Sequence, residues 1–309
     1  MKVSVLMITY NHEAYIAGAL NSVLMQRVNF DYEIVIGEDC STDNTRNIAI
    51  DYQKKQPDKI RLFLPEKNIG MIGNFIATYK ACEGEYVALL EGDDYWTSPD
   101  KLQRQVDFLD AHPECSECFH NVNEVYDTRP ELNHPFHRRR LKKRIFTLSD
   151  IISHNFIPTC STIFRNRLFG EFPEWFSSMP MGDWPLHVLN AEHGTICYMD
   201  EILAAHRVHE AGVWSGLENT AILVNSIDAA NHMNDHYRSR FQKEINKSVS
   251  FWHWKVAQIL YERGDIDGAY HHGLKCLVTS PFSRVKTKVR LPKIILKKAI
   301  RSLQRSAKQ

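Results

Sequence analysis

The N-terminal third of the chain alternates short apolar runs with apolar residues at helical spacing. The runs are rich in β-branched residues, which predicts buried strands, and they lie at 3–8, 33–37, 61–64 and 86–90. Between the first two runs, Ile16, Leu20 and Val23 lie on one face of a predicted helix. Similar helical patterns follow the next runs. Strands joined by helices predict an α/β fold with a parallel sheet and right-handed crossovers.

The pattern changes after the fourth run. Ser98 and Pro99 predict the start of a helix, because serine caps helices and proline favours their first position. Further strands are predicted at 118–126, 160–165, 195–198 and 202–205, and a helix at 184–193. The basic run at 137–144 is interpreted as a solvated loop. From Glu218 onward the pattern is almost wholly helical.

Polar side chains follow each of the first four predicted strands. In parallel sheets, ligands bind at the carboxyl ends of the strands, so the loops at 9–13, 38–43, 65–74 and 91–96 are candidate binding loops. The fourth loop carries Glu91, Asp93 and Asp94, which repel each other and lose hydration when buried. A divalent cation, Mn²⁺ or Mg²⁺, offsets that repulsion and commonly also binds phosphate oxygens. The alternative is a polar turn that precedes a helix.

Seven motifs in a fixed order carry a family resemblance. They are VSVLMITYNHEAYIAGALNSVLMQ, EIVIGEDCSTDNT, NIGMIGNF, VALLEGDDYW, IPTCSTIFRN, MGDWPLHV and HRVHEAGVWSG. Together they resemble the family 2 inverting glycosyltransferases of bacterial surface-polysaccharide synthesis, which have the GT-A fold. The resemblance implies a Rossmann-like, mostly parallel sheet flanked by helices over residues 1–215. A helical C-terminal region with a basic amphipathic tail would then cover 216–309.

The resemblance also implies roles for matching residues. Asp93 would be the direct metal ligand, and His209 would complete the metal site. The residues implied in donor binding are Thr9, Tyr10, Asn11, Asp39, Ser41, Asn68, Gly70, Asn74, Glu91, Gly92, Asp94 and Arg207. Glu91 replaces the first aspartate of the family's Asp-x-Asp motif, and it would act through water or the sugar. Asp39 suits a uracil or thymine edge, which favours UDP or dTDP over GDP.

Asp183 matches the acidic residue that the family uses as its catalytic base. Many relatives carry glutamate before it, whereas this chain has Gly182. The alternative role for Asp183 is a helix N-cap, and both roles can hold together. The implied reaction is one inverting displacement, in which Asp183 takes a proton from a hydroxyl of a glycan or lipid-linked glycan. Trp184 and Trp214 are candidate sugar-stacking faces, with packing as the alternative.

Composition narrows the function further. The net charge is +1, so no global basic field indicates a nucleic-acid partner. Seven scattered cysteines favour reduced thiols and a cytoplasmic location over a disulfide framework. Cys115 and Cys118 are flanked by histidines, but no second cysteine pair follows at zinc-finger spacing. Buried free thiols are therefore the preferred interpretation.

The last segment, 281–309, contains ten lysine or arginine residues and no acidic residue. Apolar and basic positions alternate there at helical spacing, which is typical of a helix on an anionic membrane surface. Such a helix would place the protein on the inner face of the plasma membrane, near a lipid-linked acceptor. The alternative is a soluble or disordered basic tail.

The sequence disfavours three other functions that could use a similar architecture. A nucleotidyltransferase needs a glycine-rich, arginine-containing loop after the first strand, but here no glycine occurs before Gly18. A nucleic-acid-binding module fits poorly with the acidic loop. A non-catalytic nucleotide-sugar-binding or scaffold protein would be expected to lack the acidic residues, yet Asp93, Asp94 and Asp183 are present. This last reading is kept as the alternative.

Overall fold

A computed structural model of the protein describes residues 1–210, 212, 216–280 and 298. The chain divides into two compact units. Unit 1 comprises Met1–Ile151 and Phe156–Gly212, and unit 2 comprises Ile152–Asn155 and Val213–Gln309. Trp214 and, apart from Lys298, the predicted amphipathic tail lie outside the described residues.

Unit 1 contains one mixed sheet. Its strands are β1 (Val3–Thr9), β2 (Tyr32–Glu38), β3 (Ile60–Phe63), β4 (Tyr86–Leu89), β5 (Tyr95–Trp96), β6 (Cys115–Val125), β7 (His134–Pro135), β8 (Ile145–Phe146), β9 (Ile163–Arg165) and β10 (Thr195–Arg207). The order is β3-β2-β1-β4-β9-β6-β10-β5, with β7 on β6 and β8 on β10. Strands β1 to β4 are mutually parallel, as predicted. Strand β9 inserts antiparallel to both β4 and β6.

Helices cover both faces of this sheet. They are α1 (Ile16–Leu24), α2 (Thr45–Lys55), α3 (Met71–Ala81), α4 (Lys101–Ala111), the short α5 (Leu148–Ile151) and α6 (Asp183–Asn190). Val3, Val5 and Met7 pack with α1, α2 and α4 on one face, whereas Leu6 packs with α3 and α6 on the other. The alternation within β1 thus buries both of its faces, and the predicted α/β fold is confirmed.

The predicted start of α4 is wrong by two residues. The helix begins at Lys101 rather than Pro99. The buried side chain of Gln26 lies between the two groups that would form the first helical hydrogen bond. It accepts from the Leu102 amide at 3.0 Å and donates to the Ser98 carbonyl at 2.7 Å. A contact from Gln26, two residues after the end of α1, therefore takes the place of the first predicted helical hydrogen bond.

Strand β10 differs from its prediction as well. The runs at 195–198 and 202–205 belong to one strand, whose pairing with β6 is irregular between Met199 and Ile202. Because of this irregularity, the sequence pattern predicts two short strands where the structure has one long strand. β10 therefore extends continuously from the buried end of the sheet to the loop that carries His209.

Two of the seven cysteines are paired, which corrects the expectation of reduced thiols throughout. Cys115 at the start of β6 forms a disulfide with Cys197 on β10. Cys118, whose thiol was considered beside Cys115 for zinc, is a buried free cysteine. Burial raises the pKa of Cys118 well above the ordinary thiol range. The predicted buried free thiol is thus confirmed for Cys118 and wrong for Cys115.

In unit 2 the described residues form helices α7 (Asn219–His236), α8 (Gln242–Glu262) and α9 (Ile266–Thr279). The helical pattern predicted from Glu218 onward is thus confirmed where the structure describes it. Arg263 pairs with Glu218 at 2.8 Å, and the Nδ1 atoms of His253 and His272 lie 3.0 Å apart. In the described part of the chain, no helix has both the length and the apolar character needed to cross a membrane.

Candidate donor and catalytic site

The loop after β1 is held against the loop after β2 by backbone-to-side-chain hydrogen bonds. Asn11 donates from its amide to Ser41 Oγ at 2.9 Å and accepts at Oδ1 from the Thr42 amide at 2.9 Å. The φ angle of Asn11 is 56°, a left-handed conformation that asparagine tolerates better than most residues. Next to it, the amide of His12 donates to Thr45 Oγ1 at 2.7 Å. The two loops therefore form one structural piece.

Tyr10 and Asp39 lie on this piece in different environments. Tyr10 is exposed. Asp39 is buried, and one of its carboxylate oxygens accepts from the Ile69 amide at 2.8 Å. Asn68 donates to the Asp39 carbonyl at 3.1 Å, and Gly70 then turns the chain into α3 with a φ of +81°. Among the predicted donor residues of the first three loops, Asn11 is thus linked to Ser41, and Asp39 is linked to Asn68.

Asn74 has a different environment from the other predicted donor residues. It is 2% exposed, and its amide donates to the Gly37 carbonyl at 2.7 Å. A Cβ on Gly37 would lie 2.4 Å from Asn74 Oδ1, so α3 and β2 are in close contact there. The visible role of Asn74 is to fasten α3 to the sheet. A direct donor contact from Asn74 stays a prediction.

Gly92 allows the first and fourth loops to approach closely. A Cβ at this position would lie 2.5 Å from Thr9 Oγ1 and 2.9 Å from His12 Nδ1, closer than atoms can normally come. Both of these polar atoms are buried and have no hydrogen-bond partner. The first and fourth loops are therefore packed directly against each other at Gly92.

Asp93 lies between two histidines. Its Oδ2 is 3.1 Å from His209 Nε2 and 3.6 Å from His12 Nε2. Burial by itself raises the pKa of Asp93, but the hydrogen bond to His209 and the charges of both histidines outweigh it, so the pKa lies below its ordinary value. Burial lowers the pKa of His12 in spite of the attraction of Asp93. Asp93 is therefore the anionic member of this cluster.

The two acidic neighbours of Asp93 behave differently. Burial, strengthened by the charges of Asp93, Asp94 and Asp183, raises the pKa of Glu91 well above its ordinary value. Burial also raises the pKa of Asp94 to about 6, although Asp94 Oδ1 accepts from the Arg207 amide at 2.8 Å. Mutual repulsion of the three carboxylates thus adds to the effect of burial on the pKa of Glu91 and of Asp94.

Arg207 fastens the acidic loop to β10. Its Nη1 donates to the Asp93 carbonyl at 2.6 Å, and its Nε lies 2.8 Å from Asp127 Oδ2. The guanidinium also stacks on the rings of Tyr15 and Tyr95, each 4.9 Å away. Its visible role is to position the loop, whereas its predicted phosphate contact stays a prediction.

Asp183 is the first residue of α6, and Thr159 Oγ1 donates to its Oδ2 at 3.4 Å. It is close enough to Glu91 for its charge to contribute to the raised pKa of Glu91. The N-terminal end of a helix favours a negative charge. The N-cap position itself belongs to Gly182, so Asp183 does not serve as the cap.

Trp184 is not a sugar-stacking face. Its side chain is 1% exposed, and its Nε1 donates to the Ile151 carbonyl at 2.7 Å. Packing, the other reading of this residue, is therefore its role.

The donor set at Asp93 was tested against a divalent ion. Within the described residues, no three or more His, Cys, Asp or Glu side chains are grouped as a complete metal site. Mg²⁺ and related ions, however, are commonly held by one or two protein ligands together with waters and substrate phosphates. The Asp93 carboxylate fits such a partial site, because carboxylate and water oxygens suit Mg²⁺ and Mn²⁺, and His209 Nε2 lies 3.1 Å from it as a nitrogen donor.

Three residues of this site were missed by sequence reasoning: His12, Tyr15 and Asp127. His12 and Tyr15 lie in the first motif, just before α1. The apolar pattern that predicts this helix gives no information about the polar side chains in front of it. Tyr15 stacks on His209 with 4.6 Å between ring centroids. Asp127 follows β6 and meets Arg207 only through the pairing of β6 with β10. No local sequence pattern predicts such a contact.

Comparison with known proteins places this arrangement in a family. The family model described as glycosyl transferase family 2 matches residues 4–169, which is more than half of the chain. The chain belongs to glycosyl transferase family 2. An uncharacterized family relative from Mycobacterium tuberculosis, Rv1520, is 39% identical over 214 residues, which are 68% of this chain and 60% of that protein. This family 2 chain thus aligns with less than two thirds of the relative's length.

Solved structures of other glycosyltransferases share the fold of this family 2 chain. Residues 1–349 of Staphylococcus aureus TarS, crystallised with UDP-GlcNAc, align with a TM-score of 0.65 at 21% identity, covering 96% of this chain and 88% of that one. The mannosyltransferase PcManGT from Pyrobaculum calidifontis, solved with GDP-Man and Mn²⁺, aligns with a TM-score of 0.59 at 16% identity, covering 98% and 80%. The GT-A fold implied by the sequence is confirmed.

Proposed function

We propose that this protein is a metal-dependent, inverting glycosyltransferase that moves a sugar from a nucleoside diphosphate to a glycan or lipid-linked glycan hydroxyl. The observation that carries the proposal is the convergence of Asp93, His209 and Asp183. Asp93 and His209 meet at 3.1 Å, and the charge of Asp183 acts on Glu91 in the same loop. The proposal therefore puts a pyrophosphate site and a general base at one edge of the sheet.

The donor nucleotide would lie across the loops after β1 and β2. Asn11 and Ser41 hold these loops together, and Asp39 retains a carboxylate oxygen beyond the one bound to Ile69. Such an oxygen can accept from the N–H of a uracil or thymine ring, which favours UDP or dTDP. The UDP-GlcNAc complex of TarS supports a uridine donor, and the GDP-Man complex of PcManGT is the competing precedent.

Asp93 and His209 would hold Mn²⁺ or Mg²⁺, which when bound supplies Lewis-acid neutralisation of the diphosphate. Gly92 leaves room for the loop to approach Thr9, and Arg207 keeps the backbone of Asp93 in place. Together these contacts would hold the donor so that its anomeric carbon faces Asp183.

Asp183 would act as the general base. Its carboxylate takes the proton of the acceptor hydroxyl while that oxygen bonds to the anomeric carbon and the nucleoside diphosphate leaves with the electron pair. General-base assistance of this kind contributes about 10²–10⁴-fold to the rate. One displacement inverts the anomeric configuration, so no carboxylate nucleophile is required.

The acceptor proposal rests on relatives. TarS is named a poly(ribitol-phosphate) β-N-acetylglucosaminyltransferase and is 37% identical over 114 residues, which are 36% of this chain and 19% of that protein. A bacterial surface polysaccharide is therefore the proposed acceptor class. A cytoplasmic location, with the basic tail on the inner face of the plasma membrane, is proposed with it.

The first experiment is thermal denaturation with UDP, dTDP, GDP or CMP, each with Mn²⁺ and with EDTA. A ligand present at about one hundred times its Kd adds about 2.7 kcal/mol to stability. A shift with one diphosphate that disappears in EDTA supports the donor site and identifies the base. If no nucleotide shifts the melting temperature, the donor site is wrong.

The alternative, a non-catalytic nucleotide-sugar-binding or scaffold protein, is separated by turnover. UDP-N-acetylglucosamine, UDP-glucose, dTDP-glucose and GDP-mannose are each incubated with the protein and Mn²⁺, and the release of nucleoside diphosphate is followed with water or added glycans as acceptors. Nucleotide binding without release from any donor would favour the alternative.

A further inference from the structure

A buried charged pair connects α6 to the centre of the sheet, and the proposed reaction leaves it without a role. His187 and Glu117 are both fully buried, and His187 Nδ1 lies 2.7 Å from Glu117 Oε1. Asn190, also fully buried, donates to the other Glu117 oxygen at 2.9 Å. Glu117 comes from β6, and the other two residues come from the helix that begins with Asp183.

Helical spacing brings this pair to Asp183. His187 follows Asp183 by four residues in α6, and residues at this spacing share a helix face with their Cβ atoms roughly 5–6 Å apart. Burial by itself lowers the pKa of His187, but the charge and hydrogen bond of Glu117 and the charge of Asp183 outweigh it. The pKa of His187 therefore lies above its ordinary value, and the ring keeps its positive charge to higher pH than an exposed histidine.

The stability of the fold does not by itself explain why a buried pair of His187 and Glu117 is present. A buried ion pair can often be replaced by apolar side chains without loss, because desolvation offsets the attraction. A positive charge one turn from a general base has a chemical use, because the base must be ionised to take a proton. The Asp183 carboxylate attracts the charged form of His187, which contributes to the raised pKa of that ring.

We propose that His187, held by Glu117, is a positioning residue that keeps the Asp183 carboxylate ionised in the reacting enzyme. The inference rests on the proposed function, because it takes Asp183 as the base. The acceptor proton still goes to Asp183, and His187 retains its own protons throughout. Glu117 acts one step further away, since its carboxylate holds the positive charge on His187.

The first test needs no substrate. Electrostatic coupling is reciprocal, so a His187 charge that favours ionised Asp183 must itself be favoured by Asp183. The titration of the His187 ring is followed by NMR in protein labelled with ¹⁵N-histidine, and the resonance is assigned as the one displaced in Glu117→Gln. Asp183→Asn should lower the midpoint of that titration by roughly one to two pH units. The exposed His193 is the internal reference and should not move.

The second test uses the pH dependence of turnover. The probe is the sugar nucleotide among UDP-N-acetylglucosamine, UDP-glucose, dTDP-glucose and GDP-mannose that releases the most nucleoside diphosphate with water as acceptor. His187→Gln and Glu117→Gln should each move the acidic limb of the kcat profile to higher pH by roughly one to two units. His193→Gln, the same substitution at an exposed position, should leave the profile unchanged.

The outcomes separate the two proposals. If Asp183→Asn keeps near-wild-type turnover, the base assignment in the proposed function is wrong. If Asp183→Asn is inactive but leaves the His187 titration unmoved, the coupling is absent and the present inference fails while the proposed function stands. Should His187→Gln not fold, the NMR comparison of wild type with Asp183→Asn decides the question by itself.

Discussion

At the scale of single residues, the site depends on the surroundings of Asp93. Its carboxylate contacts His12 from the first loop and His209 from the end of β10, and its backbone carbonyl contacts Arg207. Two segments far from Asp93 in sequence, the first loop and the end of β10, thus hold this residue. The histidines favour the charged form of Asp93, whereas the raised pKa of Glu91 favours its neutral form. The charged form is thus favoured at Asp93 and disfavoured at Glu91 within the same loop.

The assignments of Asp93 and Asp183 predict loss of turnover without loss of the fold. Asp93→Ala removes a proposed metal ligand and should reduce nucleoside diphosphate release by about 10²-fold or more. Asp183→Asn removes the base and should cost about 10²–10⁴-fold. Circular dichroism melts should remain close to wild type, and Asp58→Asn, at an exposed carboxylate, is the control. Near-wild-type turnover in either variant would contradict that residue's role.

Gly92→Ala should disturb both the site and the fold. The added Cβ would lie 2.5 Å from Thr9 Oγ1, so the loop must move, at a cost of about 1–3 kcal/mol in the free energy of unfolding. Gly18→Ala is the matched control, because Gly18 lies in α1 with nothing within 4 Å of the new Cβ. That control should gain roughly 0.5–1 kcal/mol. Urea unfolding of both variants measures the difference, and equal stability of Gly92→Ala and wild type would contradict the crowding.

Much of the site was accessible from the sequence. The acidic loop follows a buried strand, so the strand pattern alone placed Glu91, Asp93 and Asp94 at the binding edge. Asp183 and His209 needed the family resemblance, because each is a lone polar residue far along the chain. The positioning contacts of Asp127 and Tyr15 depend on strand pairing and ring stacking with Arg207, which no local pattern records.

At the scale of elements, the first four strands agree with the sequence because each carries its own pattern of buried residues. The position of β9 could not be predicted, because a three-residue strand enters between β4 and β6 by antiparallel pairing across long sequence separations. The start of α4 was misplaced for a similar reason. Gln26, in the segment after α1, bonds to the Ser98 carbonyl and the Leu102 amide, which local rules pair with each other in a helix capped by Ser98.

The packing of α8 on α9 predicts a dependence of stability on pH. Burial and the neighbouring His272, Lys275 and His271 lower the pKa of His253 to about 4, against about 6.5 in an unfolded chain. Below pH 6.5 the unfolded chain binds the proton first. Stability is therefore full above that pH and falls, on the order of 1–2 kcal/mol, as the pH drops toward 4.

Thermal melts between pH 7 and pH 4.5 measure this effect. His253→Gln should show a smaller drop in melting temperature than wild type over that range. The same change at the exposed His236 should leave the drop unaltered. An identical drop in wild type and His253→Gln would contradict the assignment.

At the scale of the whole molecule, unit 1 holds the site residues described above and also a covalent link between β6 and β10. The disulfide joins Cys115 to Cys197 across a sequence separation of 82 residues. Strands β6 and β10 follow, along the chain, the four strands that the sequence pattern predicts most directly. The scattered spacing of the cysteines gave no indication of the pair, because only the pairing of β10 with β6 brings them together.

The disulfide should contribute about 2–4 kcal/mol to the stability of the oxidised protein. Dithiothreitol, or the double change Cys115→Ser and Cys197→Ser, should lower the melting temperature, whereas Cys40→Ser should not. Alkylation of denatured, unreduced protein should modify five of the seven cysteines, since two of seven are paired. Modification of all seven would show that the link does not form.

The hydrogen bonds between the loops after β1 and β2 have a consequence for engineering. The amide of Glu13 donates to the Asp43 carboxylate at 3.0 Å, and the Glu13 carboxylate accepts from the Asn44 amide at 2.8 Å. A side chain of each loop thus binds a backbone amide of the other loop. A chimera that takes one loop from a relative with a different sugar nucleotide would leave unmatched donors and acceptors in the half that stays. The two loops therefore have to be exchanged together. Grafts intended to change the nucleotide should carry residues 10–13 and 39–45 as one unit.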